Sequence, residues 1–165
     1  MKWVKQSIHY WCPDTKEHKF LGQNVTVAIL DTGISPHPDF KDRILSFRDF
    51  SSTTGSSEKV LFSFSHFSPL IDNSGHGTHV AGILAGSGLL SSGTYAGIAP
   101  FCNLIIGKVL DQNGNGSIKN VINGIQWIRD IYTQFHIRII NISVGTRPDL
   151  SIHQKLLLLN AVESL

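Results

Sequence analysis

Val27-Ala28-Ile29-Leu30-Asp31-Thr32-Gly33 is a short β-branched run that ends on a carboxylate. Together with Val25 it predicts a buried strand. A loop has to follow directly, because Pro36 and Pro38 lie just downstream and proline cannot continue a ladder. A carboxylate that closes a buried strand must be hydrogen-bonded or paired, since an isolated buried charge is very costly. Asp31 has two ways to meet that demand. It can cap its own turn through the Thr32 and Gly33 amides. It can instead accept a hydrogen bond from an imidazole, which fixes the ring's tautomer and leaves the other ring nitrogen free as a base.

A partner of the second kind stands downstream in His76-Gly77-Thr78-His79-Val80-Ala81-Gly82. The string predicts a helix beginning near His76, with Val80, Ile83 and Leu84 on its apolar side. Gly77, Ala81, Gly82, Ala85 and Gly86 give it many small residues, and glycine within a helix costs about 1 kcal/mol relative to alanine. Such a helix is suited to close approach by other backbone. Gly86–Gly97 reads as a small-residue loop. Leu104, Ile105, Ile106, Val109 and Leu110 predict a second buried strand, and Asn113-Gly114-Asn115-Gly116 a turn. Ser117 can cap a helix whose apolar positions Ile118, Val121, Ile122, Ile125 and Ile128 follow a 3.6-residue period. Ile137, Ile139, Ile140 and Ile142 predict a third strand, and residues 151–165 a last helix. Residues 51–59 read as a polar surface loop.

Apolar strands alternating with helices imply an α/β fold of three layers, a mostly parallel sheet flanked by helices. Ligands of such sheets sit at the carboxyl ends of the strands. Asp31, the turn after Leu110, and Ser143-Val144-Gly145 all fall there. His76, at the start of its helix, would face the same end. Gly114, Gly116, Ser143, Val144 and Gly145 are therefore candidate contacts for an extended peptide added as a strand, with ordinary turns as the competing reading.

Composition narrows the remaining classes. The 165 residues suffice for one domain with a core, with 1–23 read as a surface segment and 24–165 as the folded portion. Charged residues are 16% of the chain and the net charge is +2. That charge is too small and scattered for a nucleic-acid surface. No stretch reaches the length of a membrane span. The start, Met1-Lys2-Trp3-Val4-Lys5-Gln6-Ser7, has no apolar signal region, so a cytoplasmic location follows if Met1 is the true start. The Asn-x-Ser/Thr triplets at Asn24, Asn115 and Asn141 are then chance matches. Cys12 and Cys102 are distant and read as free thiols. His76 and His79 form an HxxH, but no acidic third ligand is near and the glutamate of an HExxH helix is missing. His79 is therefore expected to be a buried, hydrogen-bonded structural histidine.

These motifs resemble the subtilisin-like serine proteases. Asp31-Thr32-Gly33 is similar to that family's aspartate motif, and Asp72-Asn73-Ser74-Gly75-His76-Gly77-Thr78-His79-Val80-Ala81-Gly82 to its histidine motif. Gly97-Ile98-Ala99-Pro100, Lys108-Val109-Leu110 and Ile139-Ile140-Asn141-Ile142-Ser143-Val144-Gly145 match segments that follow. The resemblance implies a serine endopeptidase acting on polypeptide bound as an extended strand, without a catalytic cofactor. Asp31 orients the imidazolium, and His76 is base and then acid. Gly114, Gly116, Ser143 and Gly145 hold the substrate backbone. Val144 and Ile118 suggest apolar subsites. Asp39 resembles one ligand of a structural calcium, although Gly86–Gly97 holds no carboxylate.

One member of the triad is missing. Thr78, Thr94 and Thr146 follow glycine but precede His, Tyr and Arg, so no Gly-Thr-Ser nucleophile motif occurs. The family's oxyanion-hole asparagine is likewise absent, and Asn141 belongs to a different motif. The chain then reads as the N-terminal portion of a protease domain, inactive alone, with its serine encoded downstream. A catalytically inactive, peptide-binding protease fold is the alternative. An aspartic protease, which also carries Asp-Thr-Gly, is disfavoured by the helices after His76 and the single copy of the motif. The run Leu156–Leu159 predicts poor solubility for the isolated chain.

Overall fold

The computed structural model describes residues 2–8, 10, 20–51, 72–145 and 150–165. Four strands, β1 (Thr26–Asp31), β2 (Ile44–Asp49), β3 (Asn103–Lys108) and β4 (Ile137–Ile142), make one sheet in the order β2-β3-β1-β4. Every pairing is parallel. β1 and β3 run in register from Thr26 beside Asn103 to Asp31 beside Lys108. The α/β class and the parallel sheet are as the sequence implies. β2 is an addition: Ile44-Leu45-Ser46-Phe47-Arg48-Asp49 mixes polar with apolar side chains because it lies at the sheet's edge, where only Phe47 is buried.

Alternation along β1 builds two cores. Val27 and Ile29 join Leu104, Ile106 and Phe47 under α2 (His76–Ala85). Ala28 and Leu30 join Ile105 under α3 (Ile118–Phe135). Each fully buried Leu or Ile is worth about 1.5–3 kcal/mol, so the two clusters fix the sheet between its helices. Ser117 caps α3, its hydroxyl accepting the Asn120 amide at 3.1 Å. α4 (Ile152–Glu163) starts with a Ser151–Gln154 capping box. The N-terminal segment contains a short helix, α1 (Lys2–Ser7). It is tied to the body by the Lys5 ammonium, which donates to the Gly97 carbonyl at 2.8 Å.

Two expectations need correction. α2 does not dock through Val80, Ile83 and Leu84 as a set. Its buried residues are Gly77, Ala81 and Ala85, a stripe of small side chains, while Ile83 is exposed. The helix lies so close to β1 that only small residues fit between them. His79 is exposed rather than buried, and it borders an outer groove with His37 and Tyr95. Cys102 is buried with a free thiol. Cys12 and nearly all of the 51–59 loop lie outside the described residues. No described helix is long and apolar enough to cross a membrane.

Candidate active site

The parallel register delivers the carboxyl ends of β1, β3 and β4 to one side of the molecule, and α2 begins there. Asp31 is fully buried at the end of β1. Its Oδ1 lies 2.7 Å from Nδ1 of His76 and also accepts the Thr32 amide at 2.7 Å. The imidazole donates through Nδ1 to this carboxylate, and its side chain remains 53% exposed. Asp31 Oδ2 is buried without a hydrogen-bond partner among the described residues. The Asp31 hydrogen bond, followed by its charge, holds the His76 pKa above the ordinary histidine value.

Close approach makes this contact. A Cβ on Gly77 would stand 2.2 Å from the Gly33 carbonyl oxygen and 3.2 Å from Asp31 Oδ1. Only glycine lets the first turn of α2 rest on the turn after β1. The Thr32 hydroxyl then accepts the Gly77 amide at 2.9 Å and donates to Asp72 Oδ1 at 2.9 Å. Asp72, also buried, accepts the Gly75 amide at 2.9 Å and the Ser74 amide at 3.2 Å on the same oxygen. Its Oδ2 takes the Thr78 amide at 2.8 Å and the Thr78 hydroxyl. Burial pushes the Asp72 pKa up, but the Thr78, Gly75 and Thr32 hydrogen bonds outweigh it and leave the group below the ordinary carboxylate value. From the other side, the buried Lys108 ammonium donates to the Thr32 carbonyl. Asp72, Thr32, Thr78 and Lys108 were not singled out from sequence for any role in the site. The signal available was the placement of Asp72 three residues before a glycine N-cap.

The remaining predicted residues surround His76. Gly114, Gly116, Ser143, Val144 and Gly145 line one open cleft of about 1030 Å³ with His76, Ile118 and Leu158. A Cβ on Gly114 or Gly145 would meet nothing within 4 Å, so backbone at those points faces open space. Gly116 differs, since its Cβ would stand 2.5 Å from the Val109 carbonyl oxygen; internal packing alone requires glycine there. Asn141 donates to the Ser143 hydroxyl at 2.7 Å.

Asp39 lies away from this cleft. Its carboxylate accepts the Gly88 amide at 3.1 Å and the Leu90 amide at 3.3 Å, organising the 86–97 loop. No group of three His, Cys, Asp or Glu side chains suited to a metal occurs among the described residues. With one carboxylate already shared between two amides, Asp39 does not by itself fit the six to eight oxygens that calcium takes.

Comparison with known proteins places this geometry. The sequence profile of the subtilase family matches residues 22–163. Serine protease AprX of Bacillus subtilis is 46% identical over 106 residues, covering 64% of this chain and 21% of that protein. The major intracellular serine protease of Bacillus subtilis is 38% identical over 130 residues, covering 78% of this chain and 36% of that protein. Among solved structures, the Clostridium perfringens CspB protease superposes with a TM-score of 0.73 at 26% identity, over 93% of this chain and 35% of that one. Sphericase gives 0.70 at 27% identity, over 92% and 45%. The chain thus spans between about a fifth and a third of the length of those curated relatives.

Proposed function

Since the chain belongs to the subtilase family, we propose that it is the acid–base half of a serine endopeptidase. In this reading His76 Nε2 takes the proton of a serine hydroxyl as it attacks a peptide carbonyl, then gives that proton to the leaving amine. Asp31 holds the ring in the productive tautomer and stabilises the imidazolium formed at each step. The substrate lies extended along the cleft, against the backbone at Gly114 and at Ser143–Gly145. The serine and the oxyanion donors come from a segment beyond these residues, so the chain alone does not form an acyl-enzyme. The single observation that carries the reading is the 2.7 Å contact between a fully buried carboxylate and a half-exposed imidazole that lines the cleft. An aspartic mechanism is disfavoured by the same contact, because Asp31 is paired with a ring and not with a second carboxylate.

The test is complementation. The chain is fused to the nucleophile-bearing remainder of the Bacillus subtilis major intracellular serine protease, and peptide-amide hydrolysis is followed together with fluorophosphonate labelling of the serine. Hydrolysis that His76→Ala abolishes supports the reading; labelling and turnover indifferent to His76→Ala overturn it. The absence of a Gly-Thr-Ser motif also favours a second reading, a peptide-binding module without turnover. A folded fusion that retains peptide yet never cleaves it would establish that alternative.

A further inference from the structure

We propose that Asp72 is a positioning residue: its carboxylate ties the turn after Asp31 to the first turn of α2 and so keeps the His76 ring on Asp31. The proposal rests on the reading of Asp31 and His76 as a working acid–base pair. The two belong to separate elements, 45 residues apart in sequence. Their contact therefore depends on whatever fixes α2 against β1 at that end.

Asp72 joins both sides. Toward β1 it accepts the Thr32 hydroxyl at 2.9 Å, and Thr32 directly follows Asp31. Toward α2 it accepts the Gly75 and Thr78 amides, at 2.9 Å and 2.8 Å, and the Thr78 hydroxyl. Thr78 in turn accepts the Ser35 amide at 2.9 Å, a second tie back to the loop after β1. The N-cap of α2 is Gly75, which has no side chain to satisfy the first amides of the helix. Asp72 and the Thr32 hydroxyl do that work from outside the helix. A capping serine at 75 could satisfy an amide equally well but would not reach β1. The charged groups about this knot are Asp31, Asp72, His76 and Lys108, whose ammonium holds the Thr32 carbonyl from β3. Among the described residues Asp72 makes no hydrogen bond to His76. Its charge is the last and smallest of the influences that raise the His76 pKa, so variants that keep the charge separate placement from electrostatics.

The readout is the reactivity of the His76 ring itself. Diethyl pyrocarbonate attacks neutral imidazole, so Asp31 slows carbethoxylation of His76 at mildly acidic pH by keeping the ring protonated. Rates on the full chain are followed by peptide mass mapping across pH. His136, exposed at the opposite end of α3, is the internal reference, and far-UV circular dichroism reports folding. Asp31→Asn is the control for the pair; if it leaves His76 unchanged, the acid–base reading fails and not the tie.

With that control positive, Asp72→Asn and Asp72→Glu should both accelerate His76 several-fold at mildly acidic pH, with His136 unmoved. The glutamate keeps the charge but cannot reproduce five hydrogen bonds from a carboxylate one methylene further out. Wild-type reactivity in Asp72→Glu would assign the effect to charge alone and overturn the proposal. So would an unchanged His76 in a folded Asp72→Asn. If both Asp72 variants unfold, Thr78→Val decides, since it removes one hydroxyl from a half-buried site and leaves the charge in place. It should accelerate His76 in the same direction, Thr78→Ser should restore the slow rate, and an indifferent His76 in folded Thr78→Val overturns the tie.

Discussion

Two regions border the same cleft and are built in opposite ways. At the β1–α2 junction, Asp31, Thr32, Asp72 and Gly77 are buried, and among the described residues the buried polar side-chain groups answer one another except for a single carboxylate oxygen. At the β4–α4 side, Ile139 is 54% exposed on an edge strand, and Leu156, Leu157 and Leu159 lie open on a helix that buries no residue. Its contributions to the cleft are Ser143–Gly145 together with Leu150, Gln154 and Leu158. The first region carries its own geometry; the second exposes apolar surface of the kind that marks an interface. Chemistry that needs precise placement is therefore concentrated where the chain is self-sufficient.

The largest expected effect probes the first region. In the nucleophile-bearing fusion, Asp31→Asn should lower kcat about 10⁴-fold with little change in KM, as loss of the orienting carboxylate does in Ser-His-Asp triads. A loss under about tenfold in steady-state kinetics would mean the carboxylate does not orient the ring. Gly77→Ala comes next. Its methyl would collide with the Gly33 carbonyl, so urea denaturation should show a loss of about 3 kcal/mol, the upper part of the overpacking range. Ala81→Gly, in the same stripe, makes no such collision and should cost about 1 kcal/mol in helix propensity and about 0.8 kcal/mol more for the buried methyl it removes.

Titration sharpens the contrast further. His76 must be neutral to act as a base, and its pKa is raised by the Asp31 hydrogen bond. The kcat/KM of the fusion should therefore rise with pH through a midpoint above the ordinary histidine value, and Asp31→Asn should move that midpoint down. Stability has the opposite sense. The His76 contribution is complete below the unfolded histidine value and fades as pH rises through the raised one. Asp72 is lowered, so its contribution is present above the ordinary carboxylate value and lost as pH falls through the lowered one. Urea midpoints measured from pH 7 into the acid range test that sign: stability that increased on acidification through the carboxylate range would contradict it.

The smallest effect belongs to the open side. Leu156→Ser with Leu159→Ser should change folding stability by less than about 0.5 kcal/mol per site, as surface substitutions do. The pair should also reduce self-association of the isolated chain in sedimentation velocity. A monodisperse wild-type monomer, or a large stability loss in the double variant, would show that these leucines are already covered.

Much of this was legible before any coordinates. Apolar runs at residues 25–31, 104–110 and 137–142, alternating with periodic helices, imply a parallel sheet, because side chains buried on both faces leave few other solutions. The second of these strands in fact ends earlier, at Lys108. Other features were hidden for physical reasons. β2 is an edge strand with one buried side chain, so its pattern is diluted. Periodicity points to large apolar residues as the docking face of α2, whereas this helix packs at backbone distance through Gly77, Ala81 and Ala85. The role of Asp72 has no local pattern, since its hydrogen bond with Thr32 spans forty positions.

The amino-acid order alone determined which groups are available: a strand-ending carboxylate, an imidazole heading a helix of small residues, and glycines at neighbouring strand ends. Local patterning and side-chain chemistry suffice for that. Only the tertiary structure decided that Asp31 and His76 meet at 2.7 Å, and that Asp72 ties their elements together. Such contacts depend on helix-to-sheet spacing, which is set by long-range packing and is written in no single stretch of the chain.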